Sequence, residues 1–249
     1  MTDKVLLVTG GSRGIGARTC QLAAQAGWAV AVNYAANSLA ADEVVRAIRA
    51  AGGRAMAVQA DVADEAQVLR MFEQVDAKFG RLTGLVNNAG VVDQRARLDE
   101  MSVARWKRMF DINVIGSFLC AREAVRRMST RHGGSGGSIV NLSSVAARLG
   151  SATEYVDYAA SKGAIDSFTI GLARELATEG VRVNAVRPGL IETEIHASGG
   201  RPERPKELAP MIPMQRAGKA DEVAGLIAWL LSDAASYTTG ALIDVSGGR

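Results

Sequence analysis

A glycine-rich turn that follows a short apolar run limits the possible folds of this chain more than any other feature of its sequence. Residues 4–9, KVLLVT, are apolar enough for a strand buried on both faces of a parallel sheet. Gly10, Gly14 and Gly16 follow, and a helical pattern begins near Ala17. Glycines let a backbone turn tightly and approach a pyrophosphate, which then lies at the positive end of the helix. The segment therefore predicts a dinucleotide-binding α/β unit, with a plain strand-to-helix loop as the alternative.

Further apolar runs alternate with helical patterns along the rest of the chain. This alternation is typical of a parallel sheet with helices on both faces. A doubly wound sheet often occupies a chain of this length as one domain, so we expect residues 1–249 to form a single Rossmann-type α/β domain with seven parallel strands. The predicted strands are residues 4–9, 28–33, 54–60, 84–90, 138–143, 181–187 and 240–245.

Composition and charge make several classes of protein improbable. Hydrophobic residues make up 48% of the chain and charged residues 22%, which allows a large core. The net charge is only +3 and no nucleic-acid motif accompanies it, so we expect no nucleic-acid partner. No apolar run approaches the roughly 20 residues of a membrane span, and the N-terminus leads directly into a strand rather than a cleavable signal. We therefore expect a cytoplasmic protein without a membrane partner.

Cysteines and histidines do not suggest a metal site. Cys20 and Cys120 lack the paired spacing of a zinc or redox site, so free thiols are expected. His132 and His196 are the only histidines and lie in glycine-rich or loop context. Neither a Ser-His-Asp triad nor metal ligation is predicted.

A tyrosine and a lysine four residues apart are the strongest candidates for chemistry. On a helix, Tyr158 and Lys162 share one face, and Ser143 and Ser144 end the strand before them. A phenol ionises near pH ~10, so it moves protons at neutral pH only if a neighbouring cation stabilises the phenolate. In isolation such a pair is more often a packed tyrosine and a surface lysine. The serine pair and the glycine-rich turn favour the catalytic interpretation.

These motifs, together with the sequence NNAG at residues 87–90, resemble the short-chain dehydrogenase/reductase family across nearly the whole chain. Among its members, the chain is similar to 3-oxoacyl-acyl-carrier-protein reductases and glucose 1-dehydrogenases. The resemblance implies hydride transfer between a nicotinamide cofactor and a small-molecule carbonyl/alcohol pair. Ser144 would hold the carbonyl oxygen, with Ser143 as a minor alternative, and Tyr158 would give that oxygen a proton. Lys162 would lower the pKa of Tyr158 and hold the nicotinamide ribose.

A buried asparagine completes the implied catalytic set. Asn113 lies in a long helical pattern over residues 103–131, between Ile112 and Val114. The resemblance implies that it orders a water linking the catalytic lysine to solvent. From the residues alone, an asparagine satisfied by its own helix is the preferred interpretation.

The end of the second strand bears on the choice of cofactor. NAD-binding units usually carry an acidic residue there, whereas this chain has Asn33 and Tyr34. No carboxylate repels a 2′-phosphate, and Arg13 offers attraction, so we expect NADP(H) with NAD(H) as the alternative. Arg13 and Asn33, with Ser38, are expected around the phosphate, although Arg13 also fits an exposed loop arginine. The predicted cofactor contacts are Gly10, Ser12, Arg13, Gly14, Ile15, Gly16, Asn33, Tyr34, Asp61, Val62, Asn87, Ala89, Gly90, Tyr158, Lys162, Pro188, Gly189, Ile191 and Thr193.

Two further segments have predicted roles outside the motifs. Residues 190–215 contain four of the five prolines, which predicts an irregular lid over the substrate. Its charges Arg201, Arg204 and Lys206 would attract an anionic substrate, but exposed loop charges are the commoner explanation. The other segment is a small-residue stripe on the helix after Tyr155, which the resemblance links to a homo-oligomer, a dimer of dimers. Packing of the stripe within the same chain is the alternative. The stripe consists of Ala159, Gly163, Ser167 and Gly171.

Three functions therefore compete. The first is an NADP-dependent carbonyl reductase, the second an NAD-dependent alcohol or sugar dehydrogenase, and the third a catalytically idle dinucleotide-binding sensor. An intact set of Ser144, Tyr158 and Lys162 argues against the third. Relatives that act on carrier-protein thioesters place basic residues near two helix ends. Here Arg131 matches one position approximately but Glu179 occupies the other, which favours a free small molecule.

Overall fold

A computed structural model describes residues 4–249 as seven parallel strands with helices on both faces of the sheet. The strand order is β3-β2-β1-β4-β5-β6-β7, so the chain reverses its direction of winding between β1 and β4. The predicted fold class is confirmed, and every predicted strand is present within a few residues of its expected bounds. The strands are β1 Val5–Val8, β2 Ala29–Tyr34, β3 Arg54–Gln59, β4 Gly84–Asn87, β5 Gly137–Leu142, β6 Val181–Pro188 and β7 Leu242–Val245.

Two apolar layers hold the helices against the sheet. One face of the sheet packs against α1, α2 and α10, and the other against α3, α5 and α7. Because both faces are covered, β1 is wholly buried, as its uninterrupted apolar sequence predicts. The α-helices are α1 Gly14–Gln25, α2 Ser38–Ala50, α3 Glu65–Phe79, α4 Val103–Phe110, α5 Gly116–Met128, α6 Ala146–Leu149, α7 Val156–Leu176, α8 Ile195–Ser198, α9 Arg204–Leu208 and α10 Ala220–Leu231.

Two segments differ from the sequence-based expectation. The helical pattern over residues 103–131 is not one continuous helix, because the π-helical turn Asp111–Ile115 separates α4 from α5. Such wide turns are rare single turns inside α-helices, defined by i→i+5 hydrogen bonds, and the sequence pattern did not indicate this one. The lid is also more regular than its prolines suggest. It contains α8, α9 and a 3-10 turn at Ala209–Met211. Pro205 lies in the first turn of α9 and Pro210 in the 3-10 turn, positions where the missing N–H of proline costs little.

The reversal of winding fixes where a ligand can bind. In an open α/β sheet, the loops at the carboxyl ends of the strands separate at the point of reversal and leave a crevice. Here the crevice lies beyond the ends of β1 and β4. None of the helices within residues 4–249 is long and apolar enough to cross a membrane.

Candidate active site

A cleft of about 1060 Å³ opens at the carboxyl ends of the strands. It brings together nearly all the residues predicted from the glycine-rich turn, the strand ends and the Tyr-x-x-x-Lys motif. Two predicted contacts, Gly16 and Asn87, lie behind its wall. The predicted residues that line the cleft are Gly10, Ser12, Arg13, Gly14, Ile15, Asn33, Tyr34, Asp61, Val62, Ala89, Gly90, Ser144, Tyr158, Lys162, Pro188, Gly189, Ile191 and Thr193.

The glycine-rich turn has the shape of a phosphate cradle. Gly10 and Gly14 adopt left-handed backbone angles, φ 60° and 54°, which glycine tolerates best. A Cβ at Gly16 would lie 2.4 Å from the Gly10 carbonyl oxygen and 2.6 Å from Asn88 Nδ2. Gly16 thus permits close packing behind the turn rather than touching a ligand. The cradle ends at the N-terminus of α1, where backbone N–H groups favour an anion, so the residues present fit a dinucleotide.

Asn33 does not have the side-chain orientation expected from the sequence. Its Oδ1 accepts a hydrogen bond from the Gly10 backbone N–H at 3.1 Å, and its Nδ2 donates to the carbonyl of Ala60 at 3.0 Å. The side chain is buried and ties the glycine-rich turn to the end of β3. Contact of this amide with a cofactor phosphate stays a prediction, and in this structure its polar atoms are bonded within the protein. Arg13 is exposed at the cleft, and its guanidinium makes no hydrogen bond or ion pair to the described part of the chain.

The two asparagines at the end of β4 have structural roles. Asn87 Nδ2 donates to Asn141 Oδ1 at 3.0 Å and to the Ser117 carbonyl at 3.1 Å, which joins β4 to β5 and α5. The prediction that Asn87 lines the cofactor site is thus not met. Asn88, which the sequence analysis did not single out, lines the cleft and donates to the Thr9 carbonyl at 2.9 Å.

Asp61 lies at the cleft and does not cap a helix. Its Oδ1 accepts from the Ala63 backbone N–H at 3.0 Å, and its side chain is otherwise exposed beside Val62. The cap of α3 is Asp64, whose carboxylate accepts from the Gln67 backbone N–H at 3.1 Å. The alternative role of Asp61 as a helix cap is therefore wrong, and its carboxylate remains available to a ligand.

Ser144, rather than Ser143, lies beside the tyrosine. Ser144 lies near enough to Tyr158 to lower its pKa, and its Oγ accepts from the Ala146 backbone N–H at 3.1 Å, whereas Ser143 Oγ donates to the Lys162 carbonyl at 3.1 Å. Burial raises the pKa of Tyr158 above its ordinary value. The side chain of Ser144 and the charge of Arg204 act in the opposite direction.

Lys162 lies near the Tyr158 ring and is hydrogen-bonded to the backbone. Its Nζ lies 5.7 Å from the centre of the Tyr158 ring and donates to the Leu142 carbonyl at 2.7 Å. Burial lowers the pKa of Lys162 to about 8, with the nearby charge of Asp166 opposing the change. That Lys162 lowers the pKa of Tyr158 stays a prediction, and in this structure its ammonium is directed to a backbone carbonyl.

Asn113 lies in the π-helical turn and is fully buried behind the cleft. Its Oδ1 accepts from the Val91 backbone N–H at 2.8 Å, and its Nδ2 donates to Ser161 Oγ at 3.1 Å. The alternative of an asparagine satisfied by its own helix is wrong, since these partners belong to the loop after β4 and to α7. A Cβ at Gly90 would lie 3.4 Å from Asn113 Oδ1 and 3.5 Å from Lys162 Nζ, so Gly90 brings the loop close to both polar groups.

A buried ion pair beside the tyrosine had no signal in the sequence. Asp157, at the start of α7, accepts two hydrogen bonds from Arg105 of α4, at 2.6 Å and 3.1 Å. Arg105 also donates to the Gln94 carbonyl at 2.6 Å. The pair joins α4, the loop after β4 and the first turn of α7, which carries Tyr158. Its partners are 52 residues apart and belong to no motif.

Comparisons with known proteins agree with this geometry. A family model described as enoyl-(acyl carrier protein) reductase matches residues 10–249. The uncharacterized oxidoreductase YgfF of Escherichia coli (strain K12) is 56% identical over 98% of this chain and 99% of its own length. The cis-4-hydroxycyclohexanecarboxylate dehydrogenase of Sinomonas cyclohexanicum is 40% identical over 99% and 96%. A short-chain dehydrogenase/reductase structure from Serratia marcescens superposes with a TM-score of 0.90 at 37% identity, covering 98% and 97%.

The similarity extends over the whole cleft, from the glycine-rich turn to the segment after β6. The resemblance predicted from the sequence motifs is confirmed. The chain belongs to the short-chain dehydrogenase/reductase family of oxidoreductases, which act on CH–OH groups of small molecules.

Proposed function

We propose that this protein transfers hydride between NADP(H) and the carbonyl/alcohol pair of a free small molecule. The observation that carries the proposal is the grouping of Ser144, Tyr158 and Lys162 in one cleft with the glycine cradle. When bound, the nicotinamide supplies or accepts the hydride. The protein residues would orient the substrate oxygen and move its proton.

The hydroxyl pair at Ser144 and Tyr158 provides the proton chemistry. A substrate carbonyl oxygen placed between them would accept a hydrogen bond from Ser144 and a proton from Tyr158. Because burial keeps the pKa of Tyr158 above its ordinary value, the phenol holds its proton at neutral pH and is ready to donate it. Asn113 holds the loop after β4 and α7 at a fixed separation behind this pair.

Tyr158→Phe tests the proton donor. The variant removes one oxygen while keeping the ring, so we expect NADPH to bind nearly as in the wild type and ketone reduction to fall by at least roughly a hundredfold. Reduction is followed by loss of NADPH absorbance, and binding by calorimetry. Tyr237→Phe, which removes a fully exposed phenol hydroxyl, is the matched control. Normal turnover by Tyr158→Phe would contradict the assigned role.

The preference for NADP(H) rests on Arg13. Its guanidinium is free at the cleft, and no carboxylate lies among the residues that follow β2, Ala35 to Asn37. A hydrogen bond to a charged group is worth about 1.5–3 kcal/mol, so Arg13→Leu should weaken NADPH binding roughly tenfold or more and leave NADH binding nearly unchanged. Arg18→Leu removes a charge from the first turns of α1, where Arg18 pairs with Asp221, and serves as the control. Tighter wild-type binding of NADH than of NADPH would refute the preference.

A free small molecule is favoured over a carrier-bound one. Glu179, at the position where a carrier-binding enzyme would offer a positive charge, accepts a hydrogen bond from Ser129 Oγ. Its backbone carbonyl also accepts from the Thr130 N–H at 3.1 Å, so the acidic residue is built into the fold. Because a relative is named for a cyclic hydroxy acid, 4-oxocyclohexanecarboxylate is a reasonable first ketone to assay with this protein.

Assembly into a homo-oligomer is supported by apolar side chains that the single chain leaves exposed. Phe110, Ile115 and Phe118 all lie on the segment from α4 to α5, and Phe118 stacks on Phe168 of α7 with ring centres 3.9 Å apart. Gly163 belongs to the small-residue stripe on α7, and a Cβ added at this position would meet no atom within 4 Å. This leaves room for a second copy rather than packing within the chain. Light scattering that shows a monomer at micromolar concentration would refute the proposal.

A further inference from the structure

One arginine of the lid is not an ordinary surface charge. Arg204 begins α9, lines the cleft, and has a side chain only 17% exposed. Lys206, two residues later on the same helix, is 82% exposed and does not line the cleft. Exposed loop charge, the commoner explanation for such residues, therefore fits Lys206 but not Arg204.

Contacts with the loop before α7 hold the Arg204 guanidinium in place. Its Nη2 donates to Glu154 Oε2 at 2.9 Å, and its Cζ lies 5.3 Å from the centre of the Tyr155 ring. A cation over an aromatic face is attracted to it, which fixes the plane of the guanidinium. Because Glu154 and Tyr155 come shortly before Tyr158 in the chain, the charge is fixed close to the reacting hydroxyl.

The guanidinium has hydrogen-bonding capacity that the protein does not use. Arginine has five N–H donors in a fork that matches a carboxylate. The Nε of Arg204 is buried and has no partner among residues 4–249, and its one assigned hydrogen bond is that from Nη2. A buried donor without an acceptor is costly, so an acceptor is expected when the site is filled.

The local charge balance favours an anion. The carboxylate of Glu154 pairs with two arginines: Arg201 lies 3.1 Å from Oε1 and Arg204 lies 2.9 Å from Oε2. Arg95 lies 3.9 Å from Oε1. Arg201 also pairs with Glu207. Three guanidinium groups thus face two carboxylates, which leaves a positive charge at the wall of the cleft. This charge acts on the reacting group, because Arg204 lowers the pKa of Tyr158 against the effect of burial.

We propose that Arg204 binds a carboxylate carried by the substrate, so that the cleft selects ketones and alcohols that also bear an acid group. The inference rests on the proposed carbonyl reduction and adds the substrate class. Arg204 would be a specificity-determining residue. Its guanidinium fork would receive the carboxylate while the carbonyl of the same molecule reaches Ser144 and Tyr158.

The test compares keto acids with their methyl esters, which keep the carbonyl and lose the charge. Three keto acids are used: acetoacetate, levulinate and 4-oxocyclohexanecarboxylate. The reduction of each acid and of its methyl ester by NADPH is assayed side by side. The binding of each compound is measured by calorimetry with NADP⁺ present. We expect at least one acid to exceed its ester by roughly tenfold to a hundredfold in kcat/KM, mainly through a lower KM.

Variants then assign the preference to Arg204. Arg204→Met should reduce the acid-to-ester ratio to about one, and Arg204→Lys should keep part of it. Using the ratio within each enzyme cancels any change common to both substrates, including a shift in the pKa of Tyr158. Glu154→Gln removes the competing carboxylate and should raise the ratio. Lys206→Met removes a charge from the same helix away from the cleft and should leave the ratio unchanged.

Each outcome decides one of the two proposals. If esters are reduced and bound as well as acids, or if Arg204→Met keeps the acid preference, the inference is wrong while the carbonyl reductase stands. If neither acids nor esters are reduced or bound, the proposed function fails and the inference fails with it.

Discussion

The buried pair between Arg105 and Asp157 should be a major determinant of stability beside the active site. The two side chains are 9% and 2% exposed and meet through two hydrogen bonds, at 2.6 Å and 3.1 Å. Without Arg105, the Asp157 carboxylate would stay buried with the Tyr158 backbone N–H, at 2.9 Å, as its remaining hydrogen-bond partner. Arg105→Met should therefore destabilise the protein strongly.

The magnitude follows from the burial of the pair. Removing one member of a buried ion pair costs about 3–5 kcal/mol, because the remaining charge has no compensation. For a domain of this size, each kcal/mol changes Tm by roughly 2–4 °C, so the expected loss is about 6–20 °C. Replacing both members by apolar residues of similar volume is often neutral or stabilising. The double variant Arg105→Met/Asp157→Leu should recover most of the loss.

Urea denaturation at one fixed protein concentration, followed by circular dichroism, measures both changes. The matched control is Arg97→Met. Arg97 forms an exposed pair with Asp99 at 3.1 Å, which should be worth at most about 1 kcal/mol. A double variant as unstable as Arg105→Met, or a single variant no worse than the control, would refute the reasoning.

Two further predictions concern the cradle and the buried lysine. Gly16→Ala should weaken NADPH binding by at least roughly tenfold in calorimetry, because the added Cβ would lie 2.4 Å from the Gly10 carbonyl oxygen. The control is Gly225→Ala, where the added Cβ would meet no atom within 4 Å and NADPH binding should not change. For Lys162, the folded pKa of about 8 lies below the unfolded 10.5, so the unfolded chain binds more protons between these values. The free energy of unfolding relative to Lys162→Met should then rise by roughly 3 kcal/mol across that window, and a flat difference in urea titrations would contradict the burial effect.

Features carried by contiguous residues could be predicted from the sequence. A strand covered on both faces is largely apolar, so the run VLLV within residues 4–9 was recognisable without knowledge of its neighbours. The cradle was equally local, because its glycines are required by the turn itself. The fold follows from these elements, since alternating strands and helices allow few other arrangements.

Features that depend on distant partners could not be predicted. The residue type of Asn33 fits either a ligand contact or a structural bond, and only the position of the Ala60 carbonyl decides between them. Arg204 is equally ambiguous, because its burial depends on Glu154, 50 residues earlier in the chain. The π-helical turn Asp111–Ile115 is invisible to periodicity, although it directs Asn113 toward α7.

The order in which Tyr158 and Lys162 lose their protons predicts how the two reaction rates depend on pH. Burial raises the pKa of Tyr158 and lowers that of Lys162 to about 8, so on raising the pH the lysine loses its charge before the phenol ionises. A protonated Tyr158 is the form that donates to a carbonyl, and it persists throughout the neutral range. Oxidation of an alcohol needs the phenolate, whose population falls tenfold for each pH unit below the pKa. Reduction should thus be nearly independent of pH near neutrality, whereas oxidation should accelerate as the solution becomes alkaline.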